Sequence, residues 1–182
     1  VIKIIEIELK RAHIETALLF VNKKASGLQA ISGVHINVAC GSVAVQATDG
    51  VAFCHIAYLD DATNPDNSII LDAKDLASAL AAFKGDTHLL LTVGDNVTLR
   101  GGKGEMTIGA IDGRFPSYTN IDPGKDVTEH NLPQFDMGRV IKASKIIDST
   151  SKNPPIHIRL KTLGALVVVK EAEFMICGIK RK

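Results

Sequence analysis

The sequence predicts an α+β protein assembled from repeated β-α-β-β-β units, with antiparallel sheets and the helices gathered on one face. Three observations predict it. The apolar pattern switches from alternate residues to helical spacing and back, twice in the same order. An Ala-x-Asp-Gly core occurs in ATDGVAFC at residues 47–54 and again in AIDGRFPS at residues 110–117, with Asp49 and Asp112 standing 63 residues apart. A further helix-then-strands round begins near Asn131.

The elements follow in chain order. Residues 1–9 alternate Ile2, Ile4, Ile5 and Ile7 against Lys3, Glu6 and Glu8, which predicts a half-exposed strand. From Lys10 to Lys24, Ile14, Ala17, Leu18 and Val21 fall at helical spacing, so the first helix is expected there. GVHINVAC, SVAVQAT and VAFCHIAYL read as three strands, turned by Cys40-Gly41-Ser42 and by Asp49-Gly50. LDDATNPDN is polar and contains Pro65, which predicts a loop. The pattern then restarts with the strand SIILD. Asp72 caps a second helix through Leu76, Leu80 and Phe83, and Gly85 ends it. HLLLTVG, NVTLRGG and EMTIGAI follow as strands. After SYTNIDPGKDVTEH, a third helix turns Met137, Val140, Ile141, Ser144 and Ile147 inward, ahead of the strands PPIHIRL, ALVVVKE and EFMICGI. The expected organisation is one domain at 1–118, made of repeats 1–59 and 68–118. A linker at 119–130 leads to a half-domain at 131–182.

Composition narrows the function classes. Hydrophobic residues make up 46% of the 182, Trp is absent and aromatics are 4%, so the core is built from Ile, Leu, Val and Ala, with no aromatic-lined pocket. Cys40, Cys54 and Cys177 are widely spaced and odd in number, which predicts a reduced, cytoplasmic setting. No apolar run approaches a membrane span, and the alternating start differs from a signal peptide. The missing initiator Met points to a processed or trimmed terminus. The histidines at 13, 35, 55, 88, 130 and 157 stand singly without metal-ligand spacing, and read as surface or strand residues. GGKGE at 101–105 lies between strands, so it is a hairpin turn and not a phosphate loop. Ser149 to Lys152 has Ser-x-x-Lys spacing without the companion motifs of an acylating enzyme. Turn chemistry explains Asp49 and Asp112. No catalytic constellation, cofactor site or metal site is expected.

ATDGVAFC, then a strand, an Ala-rich helix, further strands and AIDGRFPSYTNIDP, resembles the middle domain of the bacterial sliding clamp, the beta subunit of DNA polymerase III. The resemblance covers about residues 10–123 and implies a DNA-clamp-like fold shortened to about one and a half domains. In that reading Phe115 plugs the core and Pro116 sets the direction of the exit to the next domain. FMICGIK is similar to the apolar final strand of clamps.

The resemblance also implies function. Clamps surround duplex DNA with helices whose basic residues touch phosphates without reading bases. The candidate lining is Lys10, Arg11, Lys23 and Lys24 on the first helix, Lys74 and Lys84 on the second, and Arg139, Lys142 and Lys145 as one stripe on the third. Clamps hold short apolar peptide motifs of replication proteins in a groove. The positions carried over are Ile31, Thr48, Gly50, Val51, Phe53, Pro116, Met175, Cys177 and Ile179. Val51 and Ala52 stand where the family often has His-Arg, and Gly178 where a proline is usual. The expectation is a non-enzymatic, homo-oligomeric replication accessory protein that tethers or recruits partners on duplex DNA. The alternative is a peptide-binding adaptor or inhibitor that does not encircle DNA, and a salt-dependent duplex affinity separates the two.

Overall fold

A computed structural model of the chain describes residues 4–23, 29–59, 64–118, 124–129, 134–161 and 163–177. The first repeat contains strand β1 (Ile5–Lys10), helix α1 (Arg11–Ala17), a 3-10 turn (Gln29–Ser32) and strands β2 (Gly33–Ala39), β3 (Ser42–Thr48) and β4 (Ala52–Leu59). The second contains β5 (Asn67–Asp72), α2 (Ala73–Ala82), β6 (His88–Val93), β7 (Val97–Gly101) and β8 (Gly104–Thr107). The third contains α3 (Gln134–Ile147), β9 (His157–Lys161), β10 (Gly164–Val169) and β11 (Ala172–Cys177).

The two complete repeats exchange their first strands. β1 leaves its own repeat to pair antiparallel with β6, while β5 pairs antiparallel with β2. One sheet therefore runs β1-β6-β7-β8 and the other begins β5-β2-β3-β4, each borrowing one strand from the other repeat. Each of the two repeats thus lends its first strand to the other. Turn chemistry sets the hairpins. Cys40 and Gly41 have φ of 51° and 74°, the left-handed pair that a two-residue connection between Ala39 and Ser42 requires.

The third unit extends the second sheet. β11 pairs antiparallel with β4, so the second sheet continues as β4-β11-β10-β9 to seven strands. The reason is the free edge of β4: a strand with unpaired backbone groups on one side is completed by another strand. Rings reinforce the joint, Phe20 stacking on Phe174 with centroids 5.2 Å apart, both fully buried. Residues 124–129 lie against the third unit. Val127 N–H donates to the Leu160 carbonyl at 3.2 Å and Lys161 pairs with Asp126 at 2.7 Å, which covers part of the β9 edge.

The helices lie in one layer, α1 touching both α2 and α3, and one apolar core joins them to the strands. Asp72 caps α2 by accepting from the amides of Lys74 and Asp75 at 2.8 and 3.1 Å, and Gly85 has φ 103° just past its end. α1 is shorter than its apolar spacing predicts. It stops at Ala17, with Leu19 N–H and Phe20 N–H turning back on the Thr16 and Ala17 carbonyls. Phe20 and Val21 are both buried, and consecutive buried side chains suit an unwound exit better than a helix with one apolar face. On α3, Val140, Ala143 and Ser144 face inward, whereas Ile141 is exposed. On β1, Ile5, Ile7 and Leu9 are core and Ile4 lies outside it.

Candidate partner and nucleic-acid interfaces

The turn between β3 and β4 is held by its own side chains. The Asp49 carboxylate accepts from Val51 N–H and Ala52 N–H, both at 2.9 Å, while Thr48 Oγ1 accepts from Gly50 N–H at 3.1 Å and donates to the Ala52 carbonyl at 2.8 Å. Gly50 has φ 92°, a conformation that a β-carbon makes costly. Downstream, Ala52 and Cys54 face the helix-side core, so Phe53 and His55 point to the opposite face of the sheet.

There a second apolar cluster forms. Phe53, Ile70, Phe115 and Met175 are buried together, with Ala30, Ile111 and Tyr118 against them. Met175 and Phe53 are direct register partners across β11 and β4, which brings two distant groove candidates together. The segment after β8 crosses this face. Asp72 N–H donates to the Gly109 carbonyl and Ile111 N–H to the Ile70 carbonyl, both at 2.8 Å, so the chain leaves one sheet and runs along the edge of the other. That crossing seats Phe115 at the positions the Arg-Phe-Pro triplet dictates, with Pro116 exposed beside it.

The groove candidates separate into two places. Ile31, Thr48, Phe53 and Met175 are buried side chains and not an open apolar lining, and Phe115 and Tyr118 close over Phe53. Gly50, Val51 and Pro116 are exposed, but Val51 faces a different cavity, shared with Leu18, Leu19, Asp49, Arg139 and Lys142 on the helix side. Ile179 lies outside the described residues, as does the side chain of Cys177.

The cationic candidates divide as well. Arg11 is committed to packing: it pairs with Glu15 at 2.7 Å and donates to the Phe83 and Leu80 carbonyls at 3.0 and 2.9 Å, tying α1 to the last turn of α2. Arg139 leaves the expected stripe. It pairs with Asp49 at 2.8 Å and with Asp136, donates to the Leu19 carbonyl at 3.2 Å and lies over the Phe20 ring, with only 10% of its side chain exposed. The forked guanidinium suits such multiple acceptors, which is why both arginines became internal ties. Lys10 pairs with Glu171 at 3.6 Å and lies over Tyr58. Lys23, Lys74, Lys84, Lys142 and Lys145 are exposed, Lys23 past the end of α1 and Lys84 past α2. Lys24 lies outside the described residues. Two cavities of about 450 and 750 Å³ flank the α1 exit; Lys23 lines both, with Lys74 in the first and Lys142 in the second.

This fold recurs in solved structures. The DNA polymerase III beta subunit of Thermotoga maritima matches 99% of this chain and 65% of its own, with a TM-score of 0.70 at 9% identity. The chain has the sliding-clamp fold. A sliding clamp of Pseudomonas aeruginosa bound to griselimycin gives a TM-score of 0.70 at 12% identity, over 97% of this chain and 65% of that one. The Helicobacter pylori beta clamp bound to a DNA ligase peptide gives 0.65 at 13%, over 98% and 67%. The chain thus spans about two thirds of the length of these clamps. No family model matches the sequence, nor does any curated protein.

On this clamp fold, one connected row of polar side chains is not singled out by the sequence pattern alone. His35, Gln46 and His55 are successive register partners on β2, β3 and β4, joined side chain to side chain at 2.8 and 2.7 Å. The signal was present in the turns. Once Ala39 faces Ser42 and Thr48 faces Phe53, counting back along the hairpins aligns 35 with 46 and 46 with 55. Burial lowers the pKa of both histidines, opposed by the Gln46 hydrogen bond at His35 and by Glu173 at His55.

Proposed function

We propose that the protein is a clamp-like accessory of DNA replication that tethers or recruits partner proteins on duplex DNA. The observation that supports this most is the separation of two surfaces by one sheet. The helix layer presents Lys23, Lys74, Lys142 and Lys145 to solvent, and lysines so placed meet phosphates without reading bases. On the far side, exposed Pro116 borders the β4–β11 joint at Phe53 and Met175. A short peptide with two or three apolar side chains, seated on Pro116 at the rim of that closed cluster, would bind in the micromolar range because few residues are buried. The reading includes a homo-oligomer, and a solution mass tests that part.

The clamp neighbours bound to griselimycin and to a DNA ligase peptide supply probes. Titrating either against the protein should give saturable one-to-one binding that Pro116→Asp weakens. Absence of binding by both probes would remove the partner site. One observation favours the adaptor reading: Arg11 and Arg139 are occupied within the fold, so the helix face relies on lysines alone. Binding of a probe without any duplex affinity at low salt would decide for the adaptor.

A further inference from the structure

Across the seven-stranded sheet, on the face away from the helices, one row of register partners reads Ile70, His35, Gln46, His55 and Glu173. In the amide orientation that Gln46 takes here, hydrogen-bond chemistry sets the protons along it. Gln46 Oε1, 2.8 Å from His35 Nδ1, can only accept, so His35 carries its proton on Nδ1. His35 Nε2, 2.7 Å from Ser68 Oγ, then accepts from that hydroxyl. Gln46 Nε2, 2.7 Å from His55 Nδ1, can only donate, so His55 carries its proton on Nε2. Along the row, each of these three hydrogen bonds has one donor and one acceptor with both rings neutral.

The rings of this row are also the seat of the crossing segment. Phe115 stacks on His35 with centroids 4.7 Å apart, and Tyr118 stacks on His55 at 4.4 Å with planes 3° apart. The Tyr118 hydroxyl donates to Glu173 at 2.5 Å. Pro116 lies between the two stacked residues. We propose that His35, Gln46 and His55 are positioning residues for the partner site: a neutral hydrogen-bonded row that orients two imidazole platforms, on which Phe115 and Tyr118 place Pro116. This rests on the reading that Pro116 borders a peptide site.

The row has a definite proton capacity. One added proton can sit on His55 if the Gln46 amide turns over. His55 Nδ1–H then donates to Oε1, Gln46 Nε2 donates to His35 Nδ1, and His35 moves its proton to Nε2 and donates to Ser68. A second proton has no place, because both rings would present Nδ1–H to an amide with one oxygen. The other titratable or charged groups facing the row are Glu173 and Tyr118 beside His55, and Asp112 and Arg114 lining the cavity beside His35. Burial keeps both imidazoles below their ordinary value, so the seat is intact at neutral pH and is lost on acidification.

Gln46→Glu tests this with little change of shape. Two carboxylate oxygens accept from both rings at once, so both imidazoles protonate at higher pH while the row stays satisfied. Imidazole nitrogen NMR of the unaltered protein should show the Nδ1–H tautomer at His35 and Nε2–H at His55 at neutral pH. Griselimycin affinity should fall on acidification, by up to about tenfold per pH unit once one protonation is linked to binding. Gln46→Glu should flatten that fall, and the ratio of the two proteins cancels any titration of the probe. Gln46→Leu, which removes the row, should shift the ring resonances of Phe115 and Tyr118. Reversed tautomers, or a Gln46→Leu protein whose Phe115 and Tyr118 resonances stay in place, would overturn the proposal. The tautomer and ring measurements need no probe, so a failure of griselimycin to bind counts against the partner site alone.

Discussion

Replacing Arg139 by Met distinguishes an internal tie from a DNA contact. The substitution keeps an unbranched stem but removes the guanidinium from Asp49, from Asp136, from the Leu19 carbonyl and from the Phe20 ring. Asp136 has 5% of its side chain exposed and is left without its cation, whereas Asp49 is 21% exposed and keeps its bonds to Val51 and Ala52. Breaking a buried pair from one side costs about 3–5 kcal/mol. With Asp49 partly solvated and the Met stem still packed, the expected loss is about 2–4 kcal/mol. Against a total stability of about 5–15 kcal/mol, urea unfolding followed by circular dichroism resolves this easily. Lys142→Gln with Lys145→Gln, on the same helix, should change stability by about 0.5 kcal/mol or less per site. The double change should reduce the salt slope of duplex binding, by about 0.9 for each phosphate no longer neutralised, while Arg139→Met leaves that slope unaltered. An Arg139→Met protein of nearly unchanged stability but reduced slope would refute the internal tie.

Other outcomes follow from the same geometry. Gly33→Ala would place a β-carbon 2.6 Å from Ile70 Cγ2 and from the Leu71 carbonyl, so a loss of about 1–3 kcal/mol is expected in a thermal melt; a neutral result would mean that β2 and β5 are less closely pressed. Asp49→Ala leaves two turn amides without their acceptor, and in a double-mutant cycle with Arg139→Met should show a coupling of about 1 kcal/mol or more; additivity would contradict the tie between turn and α3. Stability should also fall as pH drops. Burial lowers the pKa of His13, His35 and His55 below 6.5, Glu171 opposing it at His13. The unfolded chain therefore binds protons first, and stability present above pH 6.5 is lost as pH falls through the lower folded values. Urea midpoints independent of pH in that window would exclude neutral buried histidines.

Local chemistry makes much of the fold legible. Asp72 and Gly85 mark the ends of α2, Asp49-Gly50 and Cys40-Gly41 mark hairpins, and alternation places Ile5 and Ile7 in the core. What local pattern does not contain is which strand completes which edge, and the pairing of β11 with β4 depends on a contact between distant residues. The same holds for charge. Nothing in the spacing of Arg139, Lys142 and Lys145 says that the first is held by Asp49, a residue ninety positions away in the chain. Apolar spacing overextends α1 because it continues through Leu18 and Val21 even though Phe20 must also be buried. The row through His35, Gln46 and His55 requires register, which only the combination of two turns supplies.

Duplex binding across a salt series tests the clamp reading most directly, with two unrelated sequences compared side by side. Affinities should fall linearly with log salt, with equal slopes for both sequences. Replacing Lys23, Lys74 and Lys142 by Gln should lower the slope by about 0.9 for each phosphate these lysines neutralise. No duplex affinity at low salt, or binding confined to one of the two sequences, would contradict a clamp-like protein that holds its partners on DNA.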